Sequence, residues 1–100
     1  MAGTIFLPDG RDWDVRSGIF FWALDTLAEQ VQDQDLASWL RELSENNVGL
    51  LDVKQLSKAQ QQDFAISAQR LPSLARTALP EAGESFYDRM EELAALVAES

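Results

Sequence analysis

Residues 17–32 read SGIFFWALDTLAEQVQ, and their apolar side chains recur with the spacing of an α-helix. The side chains at i, i+4, i+7 and i+11 form one stripe: Phe20, Leu24, Leu27 and Val31. Such a stripe is typical of an amphipathic helix that buries one face. The pattern therefore predicts a first helix over this range, with Ser17 as its N-cap.

The opposite side of this helix carries a tryptophan among carboxylates. On a helical wheel, four side chains fall within one arc away from the apolar stripe: Trp22, Asp25, Glu29 and Asp33. An aromatic anchor ringed by charges is typical of a binding hot spot for a partner of opposite charge. The alternative is that the segment before the helix covers Trp22 and Ile19, so that both belong to the core. The sequence leaves both interpretations open, and these four residues form the candidate partner-binding site.

Residues 4–15 predict a β-hairpin in front of this helix. Two segments with β-branched and aromatic side chains flank the turn sequence Pro-Asp-Gly at residues 8–10. Alternation places Trp13 and Val15 on one face and aspartates on the other. Since a two-stranded ribbon is marginally stable alone, its apolar face must lie on helices or on another chain.

A second helix of about a dozen residues is expected next. Asp33 or Asp35 caps it, and its apolar stripe consists of Leu36, Trp39, Leu40 and Leu43. Residues 46–49 (Asn-Asn-Val-Gly) end it, because Asn and Gly both tolerate left-handed backbone.

Residues 50–56 are compatible with two structures. Leu51 and Val53 alternate as in a short strand, but two capping-box patterns also occur here, at residues 52–55 and 57–60. Both patterns cannot start the same helix, and the choice between strand and helix stays open.

The C-terminal half predicts further helices. We expect one over residues 57–71 that ends before Pro72, a short one over residues 73–79 that ends at Pro80, and a last one capped by Ser85. Their inward side chains are Phe64, Ala68 and Leu71 in the first of these helices and Phe86, Met90, Leu93 and Val97 in the last.

These elements predict one mainly α domain over residues 1–100. A small β-hairpin (residues 4–15) precedes four or five short helices (residues 17–100), which are stabilised by packing their apolar stripes together. A chain of this length buries roughly two-thirds of its unfolded surface, which suffices for a core without metals or disulfides.

The composition argues against several kinds of chemistry. The 100 residues include no Cys and no His, which removes thiol nucleophiles, Cys-based zinc sites and the commonest general base. Calcium-loop spacings that start at Asp12 or Asp33 both fail at their fifth position. No two acids stand in the contrasting environments that general acid–base catalysis needs. We therefore expect no catalysis, no metal and no cofactor.

The charge balance indicates the kind of partner. The net charge is -9, from 17 acids against 8 bases, which disfavours nucleic acid and anionic membranes. We expect a small acidic protein-binding module, most simply an inhibitor of the immunity or antitoxin type that neutralises a basic protein partner. The alternative is a secretion chaperone or assembly adaptor that dimerises and holds a partner segment at the hairpin edge.

The apolar runs bear on location and assembly. The longest, residues 19–24, is far short of the roughly 20 residues that a membrane helix needs. Charged residues interrupt any N-terminal apolar run before it reaches the length of a secretory signal. We therefore expect a cytoplasmic protein, either a monomer or a homodimer.

Overall fold

The N-terminal hairpin becomes part of a three-stranded sheet in a computed structural model that describes residues 2–99. The strands are β1 (Ala2–Phe6), β2 (Asp12–Arg16) and β3 (Leu50–Asp52), in the order β2-β1-β3. The antiparallel pair of β1 and β2 confirms the predicted hairpin. β3 pairs in parallel with β1, so the ambiguous segment begins as a strand, and a 3-10 turn at Val53–Gln55 follows it.

The turn between β1 and β2 depends on a glycine. The Gly10 N–H donates to the Leu7 carbonyl, the Leu7 N–H donates to the Arg11 carbonyl, and Gly10 has a φ of 93°. This is a three-residue hairpin loop in which glycine supplies the left-handed conformation. The Arg11 guanidinium also contacts Asp9 at 2.6 Å and Glu99 at 2.5 Å. The turn is thereby tied to the C-terminal end of the chain's last helix.

Five α-helices account for most of the rest of residues 2–99: α1 (Ser17–Gln30), α2 (Gln34–Glu45), α3 (Lys58–Ala68), α4 (Leu71–Ala78) and α5 (Glu84–Glu99). This confirms the predicted class, a mainly α domain with a small N-terminal β-element. Within residues 2–99, no helix combines the length and the apolar character needed to cross a lipid bilayer.

The bounds of α1 differ from the prediction at both ends. Strand β2 leads directly into the helix, so the N-cap is Arg16 rather than Ser17, and Arg16 makes no side-chain cap hydrogen bond. The helix ends at Gln30 because Val31 adopts extended backbone, with φ -66° and ψ 148°. The helical wheel therefore applies only as far as Gln30.

Two later boundaries were also predicted wrongly. Pro72 lies in the first turn of α4 and does not end α3, because proline is tolerated where a helix leaves backbone N–H groups without partners. Ser85 lies inside α5, which begins at Glu84 directly after the left-handed Gly83, with φ 100°. Ser85 is therefore not the N-cap that was predicted.

The two capping patterns around residues 50–60 serve different elements. Ser57 and Gln60 form the reciprocal capping box in front of α3. The Asp52 carboxylate accepts from the Lys54 N–H at the start of the 3-10 turn. Both patterns are therefore used: the one at Asp52 begins the 3-10 turn, and the one at Ser57 begins α3.

The core lies between the inner face of the sheet and the apolar stripes of the helices. Its largest fully buried side chains include Ile5, Trp13, Phe20, Leu24, Leu40, Phe64, Leu71 and Met90. The Trp13 indole N–H donates to the Arg89 carbonyl at 3.0 Å, which satisfies its polar atom inside the core. In α5, Tyr87 is buried whereas Phe86 is half-buried. That half-buried ring borders the candidate site.

Candidate partner-binding site on helix α1

Trp22 is neither fully buried nor fully exposed, so each of the two interpretations of the sequence is correct in part. Ile19 is buried together with Trp13 and Val15, as the core interpretation requires. Trp22 is only half-buried, and it contacts α5 through an edge-to-face pair with Phe86, with ring centroids 5.2 Å apart and ring planes at 74°. Part of the indole ring is therefore available at the surface.

The direction of Trp22 follows from the packing of its neighbour Phe20. A Cβ atom added at Gly3 of β1 would lie 2.1 Å from Phe20 Cγ, so Phe20 faces the sheet at close range. Residues two apart in a helix point to nearly opposite sides. Trp22 consequently points away from the sheet, towards the surface formed by α4 and α5.

Trp22 forms a wall shared by two surface grooves. The larger, of about 630 Å³, also has Leu79 and Phe86 in its lining, and Arg16 lies at its edge. Leu79 is 37% exposed although it is a large apolar residue. This groove therefore offers a mainly apolar surface around the indole ring.

The smaller groove, of about 350 Å³, runs between α1 and α4 and is lined by negatively charged residues. Asp25 and Glu29 line its α1 side together with Trp22, and Leu74 and Thr77 lie on its α4 side. Both carboxylates belong to exposed residues. Among the described residues that line this groove there is no lysine or arginine. A cationic group that enters it therefore meets uncompensated negative charge.

The structure places Asp33 in a different role from the other three predicted site residues. Asp33 caps α2 by accepting from the Leu36 N–H at 2.8 Å, and it also accepts from Gln60 Nε2 at 3.3 Å. The hydrogen bond from Leu36, and secondarily that from Gln60, lowers the pKa of the Asp33 carboxyl below its ordinary value. Asp33 lines a separate groove, beside α3.

The connection between α1 and α2, which we call the α1–α2 corner and which contains Asp33, is held in place by a second carboxylate. Asp63 of α3 accepts from the Gln32 N–H at 3.0 Å and from the Asp33 N–H at 2.9 Å. These two N–H groups follow the end of α1, where a helix would otherwise bond them to its own carbonyls. Asp63 therefore holds the α1–α2 corner, and the candidate site reduces to Trp22, Asp25 and Glu29.

The α4 side of the grooves is held by contacts with α5. The Tyr87 hydroxyl donates to the Leu79 carbonyl. The Arg76 guanidinium lies 4.4 Å from the centre of the Tyr87 ring and 3.6 Å from the Glu91 carboxylate. These contacts fix the end of α4, so Leu79 stays at the edge of the apolar groove.

Two residues of this surface were not identified from the sequence. Phe86 was assigned to the core because it continues the stripe of α5, and Leu79 was only the last residue of a predicted helix. The available signal was that Phe86 and Tyr87 both lie one turn before Met90, so that either ring could continue the buried stripe of α5. Leu79 carried no comparable signal.

We name the surface formed by Trp22, Asp25, Glu29, Leu79 and Phe86 the Trp22 face. Within residues 2–99, no group of three or more acidic side chains is placed to hold a metal ion. Comparison with protein-family models, with curated proteins and with solved structures finds no match. The functional argument therefore rests on the residues of this face.

Proposed function

We propose that the chain is a small acidic binding protein that docks a basic protein partner on the Trp22 face. The observation that carries this proposal is the position of Trp22, a half-buried indole that borders an apolar groove on one side and a carboxylate-lined groove on the other. Binding hot spots are enriched in tryptophan and are surrounded by contacts that exclude water. A cationic, partly apolar surface complements this arrangement.

The charge and the apolar contact have different roles in this proposal. Asp25 and Glu29, within a chain of net charge -9, accelerate the encounter with a cationic partner, since complementary charges act mainly on the association rate. Trp22 and Phe86 supply contact area that leaves water on binding, which acts mainly on the dissociation rate.

The role that fits such a surface most simply is inhibition. A protein that binds nucleic acid needs a basic surface, and an acidic protein can cover that surface through charge complementarity. We therefore propose an inhibitor of the immunity or antitoxin type, which acts by binding rather than by catalysis. The target expected from this chemistry is a basic nuclease or another basic effector.

The test is to capture the partner and then to measure its dissociation. The immobilised chain is exposed to its native lysate, the retained protein is identified, and the two are purified for kinetic measurements. Trp22→Ala is expected to raise the dissociation rate constant about 30-fold, as loss of a hot-spot aromatic does. Ile66→Ala serves as the control, because Ile66 is a 55% exposed apolar residue outside the Trp22 face.

Two results would count against this proposal. The first is a retained protein without net positive charge. The second is a Trp22→Ala complex that dissociates at the rate of the parent complex, which would place the interface elsewhere. Ile66→Ala should leave the dissociation rate constant unchanged.

A second candidate function, that of an assembly adaptor, rests on the position of β2. This strand forms one edge of the sheet. Because the Leu7 N–H bonds the Arg11 carbonyl, antiparallel alternation directs the backbone N–H of Asp14 towards the open edge. We propose Asp14→Pro as the discriminating variant, since it removes that donor and keeps the ladder to β1. Loss of partner capture by Asp14→Pro, together with a dimer in gel filtration, would favour the adaptor over the inhibitor.

A further inference from the structure

The sheet is covered by helices on one face and carries apolar side chains on the other. Inward-pointing residues such as Ile5, Trp13 and Leu51 are buried. On the opposite face, Phe6 is 39% exposed and Leu50 is 49% exposed. These are two of the largest exposed apolar side chains among residues 2–99.

The strand register places carboxylates on both sides of Phe6 and, across Thr4, one carboxylate in the row of Leu50. Phe6 of β1 is paired with Asp12 of β2 and with Asp52 of β3, so the ring lies in a row between two aspartates. In the next row, Thr4 lies between Asp14 and Leu50. Since neighbouring strands are about 4.8 Å apart, each carboxylate stands about 5 Å to the side of the row centre.

In the second row, a side-chain hydrogen bond fixes the position of the Asp14 carboxylate. Thr4 Oγ1 donates to Asp14 Oδ1 at 3.1 Å across the two strands. Among the strand residues, the outward-pointing base is Arg16, which lies at the far end of the sheet, paired with Ala2. The acidic and apolar part, formed by Phe6, Leu50, Asp12, Asp14 and Asp52, is named the outer sheet face.

We propose that the outer sheet face is a second docking surface and that its occupant is a basic amphipathic helix of a protein partner. A helix laid on this face adds a third layer to a sheet that already has helices on one side. With its side chains a helix is about 10 Å wide, so an apolar stripe can rest on Phe6 and Leu50. Lysine or arginine residues beside that stripe then reach the aspartates on both sides. The aspartates beside the exposed apolar side chains are the reason for choosing a basic helix as the occupant.

This surface is distinct from the Trp22 face. Phe20 of α1 faces β1, and Trp22 points to the other side of the same helix. The outer sheet face lies beyond β1, on the side that α1 does not cover. The two surfaces therefore face away from each other, and a partner can occupy one of them without the other.

The test uses a synthetic basic amphipathic peptide of about five helical turns, with leucine along one stripe and lysine on both flanks. It is titrated into the full-length ¹⁵N-labelled chain, and the shifted backbone signals are mapped. We expect the largest shifts in β1, β2 and β3. Phe6→Ser should weaken binding about tenfold, because it removes the central apolar contact. Leu50→Ser is a second, independent variant, and Ile66→Ser is the control on an exposed residue outside the sheet.

The charge component is measured separately with Asp12→Asn and Asp52→Asn. We expect the double variant to bind the peptide about tenfold more weakly at low salt and to show a weaker salt dependence of binding. A peptide of the same composition, with its leucines scattered around the helix, should bind at least tenfold more weakly than the amphipathic one. That comparison separates recognition of the stripe from attraction by charge alone.

Several outcomes would overturn the proposal. The shifts could centre on α1 and α4, or Ile66→Ser could weaken binding as much as Phe6→Ser does. The scattered-leucine peptide could bind equally well, which would reduce the interaction to charge. Sheet signals that shift with protein concentration before any peptide is added would mean that a second copy of the chain covers this face.

Discussion

Trp22 and Phe86 meet edge to face although they belong to α1 and α5, with their ring centroids 5.2 Å apart. Aromatic pairs favour this geometry, which contributes beyond the area that the rings bury. The contact orients the indole ring before any partner arrives, and a pre-oriented side chain loses less entropy on binding. Phe86 therefore has two roles in the proposal: it orients the indole ring, and it contributes contact area of its own.

The first prediction concerns Phe86 itself. Phe86→Ala should raise the dissociation rate constant of the partner complex about fivefold, because the indole ring loses its support and the interface loses the contact area of Phe86 itself. The association rate constant should stay unchanged, since no charge is altered. Phe86→Tyr keeps the ring and should restore the parent dissociation rate. If it dissociated as fast as Phe86→Ala, the ring contact would have no positioning role.

The second prediction separates the two tryptophans by their effect on stability. Trp13→Ala should lower the free energy of unfolding by about 4 kcal/mol, because it empties a fully buried site. Trp22→Ala should lower it by clearly less, about 2 kcal/mol, since part of Trp22 is already at the surface. Urea unfolding at neutral pH measures both. An equal loss in the two variants would make Trp22 a core residue and contradict its proposed role.

The third prediction concerns the close contact between β1 and α1. Gly3→Ala should destabilise the fold by about 2 kcal/mol or more, because its methyl group would lie 2.1 Å from Phe20 Cγ. Gly18→Ala is the matched control in α1, where nothing lies within 4 Å of the added atom. It should stabilise the chain by about 0.5 kcal/mol through helix propensity. A neutral Gly3→Ala in thermal unfolding would show that Phe20 does not lie against this strand.

The fourth prediction concerns the pH dependence of the Asp33 cap. The hydrogen bond from the Leu36 N–H lowers the pKa of Asp33 in the folded chain, so folding favours the carboxylate. Its contribution to stability is fully present above the unfolded-state pKa, near 3.8, and is lost as pH falls through the lower folded-state pKa.

The measurement is the difference in Tm between the parent chain and Asp33→Asn across this acidic range. Asparagine keeps an oxygen for the Leu36 N–H but does not titrate. We expect the parent chain to be more stable at neutral pH and the difference to shrink below pH 3.8. A difference that stayed constant down to that range and below it would mean that the charge of Asp33 has no part in the cap.

The hairpin and the apolar stripes were predictable from the sequence because local patterns determine them. Alternation around Pro-Asp-Gly gives the two strands, and helical spacing identifies Phe20, Leu40 and Met90 as core residues. Strand β3 was not predictable in this way. Its three residues become a strand by pairing with β1, which lies more than 40 positions earlier in the sequence.

The position of Asp33 shows where the prediction of the site failed. Val31 continues the apolar stripe, and no glycine or proline marks the end of α1. The helix ends where Asp63, 30 positions after Asp33, accepts from the N–H groups that follow it. A wheel drawn from one segment cannot include that contact. Trp22, Asp25 and Glu29 lie before this point, where the helical wheel applies, and all three line one groove.

The most direct test of the Trp22 face is the rate at which the captured partner associates with Asp25→Lys/Glu29→Lys. At low salt this double variant should associate about tenfold more slowly than the parent chain, and at high salt the two rates should converge. Glu42→Lys/Glu45→Lys makes the same change in net charge at exposed positions on α2 and should have a much smaller effect. Equal low-salt association rates for the parent chain and Asp25→Lys/Glu29→Lys would contradict the proposal that this face binds a basic partner.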